Sequence, residues 1–172
     1  MSILDEVQTE TWHILVSIYS YQRLIEALSS SPTRYDFANN LVGINSLAEM
    51  IVIRTARLVD TRKDARSISM VLKRCSFGIN NEAVTTAADN FRSKADPVVK
   101  IRHEKIAHMK PGTLSHYPVK PLASELISAI EALLDFLDTA RGKEVSYNYK
   151  VGSKEAIIDL RESLKCGYTV YS

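Results

Sequence analysis

An apolar seam near the start of the chain leaves it few ways to fold. Leu4, Val7, Thr11, Ile14, Ile18, Tyr21, Ile25 and Leu28 recur at alternating spacings of three and four, the period of a helix that buries one stripe. The spacing predicts a helix from about Leu4 to Leu28, stopped by Ser29-Ser30-Ser31-Pro32, because proline cannot continue the hydrogen-bond ladder. Trp12 and Tyr19 flank the seam as core or interface aromatics, and His13 lies off it on the solvated side. The chain should then reverse. A second helix over about Arg34 to Val59 sets Phe37, Leu41, Ile44, Ala48, Ile51, Thr55 and Leu58 on one stripe, so two long antiparallel helices form the frame.

Later segments repeat the helical pattern with clear punctuation. Ser67 reads as the N-cap of a short helix carrying Ile68, Val71, Leu72 and Cys75, which Gly78-Ile79-Asn80-Asn81 breaks. Asn81 then caps a helix that begins near Glu82 and carries Val84, Ala87, Ala88 and Phe91. Asp96-Pro97 falls inside it, either as a kink in one helix or as a new start capped by Asp96, and the kink is preferred. Pro121 opens a helix through Leu122, Leu126, Ile130, Leu133, Leu134 and Leu137 that closes near Arg141-Gly142. In the tail, Val145, Tyr147, Tyr149 and Val151 alternate with polar residues as a strand does, and Tyr168 and Val170 repeat the pattern after a short helix from about Ser153 to Lys165. Such a two-stranded ribbon is marginal alone and has to pack on the bundle or on another subunit. The expected fold is therefore all-α: an up-and-down bundle of four long helices plus short helices over residues 1–142, with a C-terminal extension, 143–172, carrying the ribbon.

A chain of 172 residues suits one domain with a sizeable core. Its start carries Asp5, Glu6 and Glu10 rather than the basic-then-apolar order of a signal peptide, and no apolar run approaches the ~20 residues of a membrane helix. A cytoplasmic protein with no membrane partner is expected. Cys75 and Cys166 lack any ligand spacing, so no zinc site, other metal site or disulfide framework is signalled, and no glycine-rich loop calls for a phosphate cofactor. Net charge is only +2, yet it is unevenly spread. Between Arg54 and Arg74, Arg54, Arg57, Arg62, Lys63, Arg66, Lys73 and Arg74 stand against Asp60 and Asp64, a local +5; from Arg92 to Lys110, six basic residues stand against Asp96 and Glu104, a local +4. Such fields attract a phosphate backbone without a basic protein overall, although a charge run is more often a solvated face.

The second of these clusters contains the chain's chemistry. It reads Lys100-Ile101-Arg102-His103-Glu104-Lys105-Ile106-Ala107-His108-Met109-Lys110-Pro111-Gly112, a basic helical segment that ends in a histidine and is stopped by Pro-Gly. Arg102 is permanently charged and His108 carries an imidazole, a group whose unperturbed pKa lies near neutrality, so the pair is suited to holding a phosphate and moving a proton beside it. Residues six apart on an α-helix point roughly 120° away from each other, so the two share a face only if the helix ends or unwinds near the histidine. Glu104 precedes His108 by four residues, within reach to fix its tautomer, and Lys100 and Glu104 have the same spacing. His116, in the loop that runs from Met109 to Lys120, reads as a surface residue.

At these residues the sequence resembles the HEPN superfamily (higher eukaryotes and prokaryotes nucleotide-binding), whose motif is an arginine, a polar residue, a short run and a histidine four to six residues on. The block Arg102-His103-Glu104-Lys105-Ile106-Ala107-His108, with Arg57-Leu58-Val59-Asp60 some forty residues upstream, looks like the AbiU type of abortive-infection protein within it. The resemblance covers roughly residues 10 to 140, of which only the Arg102 to His108 block is specific. It implies a metal-independent, cofactor-free endoribonuclease in phage defence or a toxin–antitoxin setting, acting as a homodimer on RNA and with a cognate antitoxin protein. Arg102, His108, His103 and Glu104 would form the catalytic set, and Lys100, Lys105, Lys110, Arg54 and Arg57 would hold the RNA. Asp60, three residues from Arg57, is read as its structural ion-pair partner in preference to an RNA contact. Some family members carry a modifiable tyrosine two residues after the histidine, where this chain has Lys110. The alternative is a non-catalytic nucleotide- or RNA-binding module, or a protein-interaction scaffold, built on the same bundle.

Overall fold

The first helix is fixed at its start by a reciprocal cap. Ser2 accepts from the Asp5 amide, and Asp5 accepts from the Ser2 amide at 2.8 Å, which satisfies two backbone donors that a helix start leaves open. The computed structural model describes residues 2–62, 64–107, 122–151 and 156–166. Within them α1 runs over Ile3–Leu28 and buries Leu4, Val7, Thr11, Ile14, Leu15, Ile18 and Tyr21, the seam the spacing predicts. After Ser29 to Thr33 the chain reverses into α2, Arg34–Arg57, with Thr33 capping through the Asp36 amide. The Arg54–Glu10 contact joins the end of α2 to the start of α1, so the two run antiparallel. Gly43 marks their close approach, since a Cβ there would lie 3.1 Å from Leu24 Cδ1.

A short helix α3, Ile68–Arg74, starts at Ser67 as predicted, but the Ser67 hydroxyl makes no cap bond. A 3₁₀ turn at Gly78–Asn80 then runs straight into α4, Asn81–Ile101. This moves the cap position to Asn80 rather than Asn81, because the Asn81 amide already bonds to the Gly78 carbonyl. Pro97 lies inside α4 and the helix continues through it, so Asp96 starts no new helix. The helix expected from Pro121 begins later, as α5, Ser124–Arg141, and Leu122 and Ala123 precede it. Gly142 closes α5 in the left-handed region at φ 66°, where a residue without Cβ is unstrained. The predicted Met109 to Lys120 loop, with His116, and Pro121 fall outside the described residues.

The tail departs most from the sequence reading. Strand β1, Asn148–Val151, pairs antiparallel with β2, Ala156–Asp159, in the register Asn148 with Asp159 and Tyr149 with Ile158. Ala156 to Asp159 belongs to the stretch read as helix; the β-branched Ile157-Ile158 pair favours the pleated form. The helix that follows, α6, is confined to Leu160–Cys166, and Asp159 starts it by accepting from the Arg161 and Glu162 amides at 2.9 and 3.3 Å. Tyr168 and Val170, the expected strand partner, lie outside the described residues.

One hydrophobic core joins all of this, drawing Phe91, Phe136, Ile130, Ile51, Val71, Val145, Tyr147, Leu160 and Leu164 into a single cluster with α1. The fold is mainly helical, with four long helices among the described residues that pack as two pairs, α1 on α2 and α4 on α5. Trp12 donates from its indole to the Asn148 carbonyl at 2.9 Å, and Trp12 and Tyr19 each meet Tyr149 edge to face, so these aromatics hold the ribbon on α1. His13 is exposed. Arg161 lies over the Tyr147 ring and donates to Asp138 and to the Val145 carbonyl, which fixes α6 to α5. Among the described residues no helix is long and apolar enough to cross a membrane.

Asp5 links the first turn of α1 to the last turn of α5 through Arg141 at 2.6 Å. That hydrogen bond, with those from Ser2, holds the Asp5 carboxyl well below its ordinary value of 3.8. A depressed carboxyl stabilises the fold above its unfolded pKa, and the contribution is lost as pH falls below about 4. Thermal denaturation of wild type and Asp5→Asn should therefore show a gap at neutral pH that narrows steadily on acidification.

Candidate functional site

The motif segment owes its geometry to an apolar pattern that changes step. On α4, Val84, Ala88, Phe91, Ala95 and Val98 are buried at spacings of four and three, and Ile101 packs at the edge of the core. Continued α winding would next turn Glu104 or Lys105 towards the bundle. Instead the backbone widens over Arg102–Ala107 into a π-helical segment, whose hydrogen bonds reach five residues. Ile106 then follows Ile101 against the core, while His103, Glu104 and Lys105 stay exposed. Burying an unpaired lysine would cost more than one distorted turn.

Arg102 opens this segment half-buried, and the segment packs on α2. Among the described residues no carboxylate comes within ion-pair distance of its guanidinium. Lys100, Glu104 and Lys105 are exposed, and the expected Lys100–Glu104 pair does not form, in line with the small gain from a water-exposed pair. His108 and Lys110 lie outside the described residues, so the structure brings together Arg102, His103 and Glu104 of the predicted catalytic set.

The upstream basic cluster is largely neutralised by carboxylates from another helix. Arg54 is bound to Glu10 at 2.7 Å with both side chains mostly buried, and Arg66 to Glu6 at 2.8 Å. Counting Glu6 and Glu10 lowers the local charge from +5 to +3. Arg57 is exposed at the end of α2. Asp60 does not pair with it: the Asp60 amide bonds to the Arg57 carbonyl, while the Asp60 carboxylate takes the Arg62 amide at 2.9 Å, its Nε at 2.9 Å and its Nη2 at 2.7 Å. The turn places the Arg62 amide on the carboxylate and so delivers the Arg62 side chain to it. The sequence reading takes Arg62, with Lys63 and Arg66, as basic residues whose removal should weaken RNA binding and spare the fold; Asp60-Thr61-Arg62 is in addition an Asx-turn signal that could have pointed to the Asp60 contact. Arg62 foremost, with the charge of Arg102 adding to it, lowers the Asp60 pKa.

Among the described residues, two grooves lie away from the motif segment. One groove of about 350 Å³ lies between α4 and α5 at Ser93, Pro97 and Ser128; another of about 620 Å³ lies near Glu82, Asn90 and Thr139. Neither is lined by a predicted site residue. Among the described residues no group of three or more His, Cys, Asp or Glu side chains could hold a metal ion. Compared with protein-family models, curated proteins and solved structures, the chain matches none.

Arg54 and Arg57 separate structural from surface charge. Arg54→Ala leaves Glu10 without its partner and should lower stability by about 2 kcal/mol, a melting shift of about 4–8 °C. Arg57→Ala should leave the melting temperature within about 1 °C, because surface substitutions away from such contacts are usually near neutral.

Proposed function

We propose that the chain is a metal-independent endoribonuclease of the HEPN type, cytoplasmic and acting in phage defence or a toxin–antitoxin system. The observation that carries this reading is the state of Arg102: a half-buried residue at the head of a π-helical segment that packs on α2, with no carboxylate within ion-pair distance of its guanidinium among the described residues. π-Helical turns recur at functional sites, and an arginine without a direct ion-pair partner suits a phosphate. The ribose 2′-hydroxyl attacks phosphorus while His108 takes its proton or protonates the leaving 5′-oxygen; the O2′–P bond forms, the P–O5′ bond breaks and a 2′,3′-cyclic phosphate remains. Arg102 stabilises the charge that develops on the phosphate oxygens, and Glu104 or His103 orients the pair. Lys100, Lys105, Lys110 and Arg57 extend the contact along the strand.

In-line cleavage needs a base and an acid on opposite sides of phosphorus, and one Arg102 with one His108 supplies a single proton carrier. A homodimer with its two motif segments across a twofold axis provides the second without new sequence. A cognate antitoxin would cover the same surface.

A second reading has its own support. Tyr35, Val42 and Met50 of α2 are 77%, 47% and 42% exposed, and an apolar face of this kind fits a protein-interaction scaffold as well as a nuclease with a protein partner.

Purified protein should cut single-stranded RNA in excess EDTA. His108→Ala and Arg102→Ala should each lower the rate at least about a hundredfold without a large fall in melting temperature. Cutting that survives both substitutions removes the assignment; RNA binding that weakens with salt, with no cutting in any variant, leaves the binding module.

A further inference from the structure

Twelve consecutive residues of α2, Phe37 to Ala48, carry no charge, although charged residues make up 24% of the chain. A helix face that meets water ordinarily carries charge. Between Arg34 and Met50 the helix buries only Ile44, and Tyr35, Val42 and Met50 stand exposed on it. Asn39, Ser46 and Glu49 are exposed as well. Counted at about 100° per residue, all of these lie within about 80° of Val42 and form one stripe, while Ile44 and Ile51 turn the other way, into the core. An exposed apolar stripe depleted of charge has the composition of an interface centre.

The charges at its two ends select what covers it. Arg34 stands eight residues before Val42 and Glu49 seven after it, about 12 Å and about 10 Å along the helix. Both are exposed, and among the described residues neither has an ion-pair partner. A second α2 laid antiparallel about Val42 therefore brings Arg34 of each copy to Glu49 of the other. The same operation sets Tyr35 against the partner's Met50, a favourable ring–thioether contact, and Asn39 against the partner's Ser46. Helical phase agrees: Arg34 and Glu49 fall on one side of Val42, and Tyr35, Met50, Asn39 and Ser46 on the other. A parallel pairing would oppose like charges at both ends.

We propose that the outward face of α2 is the surface through which two copies of this chain pair, with the helices antiparallel and the twofold axis at Val42. A twofold axis sets a patch against itself, so the centre has to be free of charge and the ends have to carry opposite signs. Asp36 lies about 120° from Val42 and stays out of the contact. The pairing stands apart from the nuclease reading, because it names a face that joins two copies whatever chemistry the motif segment performs.

Sedimentation velocity of the full chain across the micromolar range should show wild type passing from monomer to dimer. Val42→Glu places two carboxylates on the axis and should weaken dimerisation at least about a hundredfold. Val42 is 47% exposed, so the melting temperature of the monomer should hold. Arg34→Glu and Glu49→Arg each create two like-charge contacts per dimer and should each weaken it about tenfold. The double reversal, Arg34→Glu with Glu49→Arg, should return to within about threefold of wild type. A loss caused by misfolding would not be repaired in this way.

Wild type that remains a monomer throughout overturns the proposal and leaves the face to another protein. A dimer that tolerates Val42→Glu, or a double reversal that pairs no better than the single ones, overturns it equally. Restored pairing in the double reversal upholds it, even where wild type cuts no RNA. A Val42→Glu monomer that still cuts RNA upholds the α2 face and removes the shared catalytic site.

Discussion

Three carboxylates in the first turns of α1 tie together elements that are distant in sequence. Asp5 holds Arg141 at the end of α5, Glu6 holds Arg66 in the loop before α3, and Glu10 holds Arg54 in the last turn of α2. Between them Leu4, Val7 and Thr11 are buried in the core, so the same turns that join the core also draw the C-terminal ends of two helices to one place. Exposed ion pairs contribute little, but Arg54–Glu10 is mostly buried, and breaking it strands a charge. The motif segment packs on α2, the helix that Glu10 holds through Arg54.

The same pairs change what the basic residues can do. Along the chain, Arg54 and Arg66 belong to a positive run; in space each has a carboxylate of its own. A linear tally of charge cannot see partners that arrive from forty or sixty residues away, and it overstates the field that a polyanion would meet. Arg57 and Arg102 have no such partner within ion-pair distance among the described residues. The positive surface is therefore narrower than the linear charge tally suggests.

Legibility followed the strength of local signals. The α1 seam, the Ser-Pro stop after Leu28 and the Gly142 end of α5 were readable because sterics and periodicity act within a few residues. Ala156 to Asp159 was misread because four residues carry no periodicity of their own; pairing with Asn148 to Val151 and the anchoring of that strand by Trp12, Tyr19 and Tyr149 decide their form. The Asp60–Arg57 expectation followed i,i+3 spacing, which holds only inside a helix, and α2 ends at Arg57. Asp60 instead obeys the turn that follows.

The π-helical segment shows how a constraint on packing becomes a property of the site. The spacing of Ile101 and Ile106 is one residue too long for the stripe that Val84 to Val98 establishes, and the chain contains Glu104 and Lys105 where the stripe would continue. Either a charge enters the core or the helix takes up an extra residue, and desolvation of an unpaired charge is the larger cost. Taking up that residue over Arg102 to Ala107 shifts the phase of the side chains that follow, so His103, Glu104 and Lys105 remain in water together rather than being divided between core and solvent. Arg102 falls at the first residue of the widened turn, half-buried in a segment that packs on α2. A regular α-helix here would need an apolar residue at position 105 and would lose one of the exposed cations beside Arg102. The irregular turn keeps Ile106 in the core and Lys105 in solvent, so core packing and the concentration of charge at the motif arise from the same extra residue.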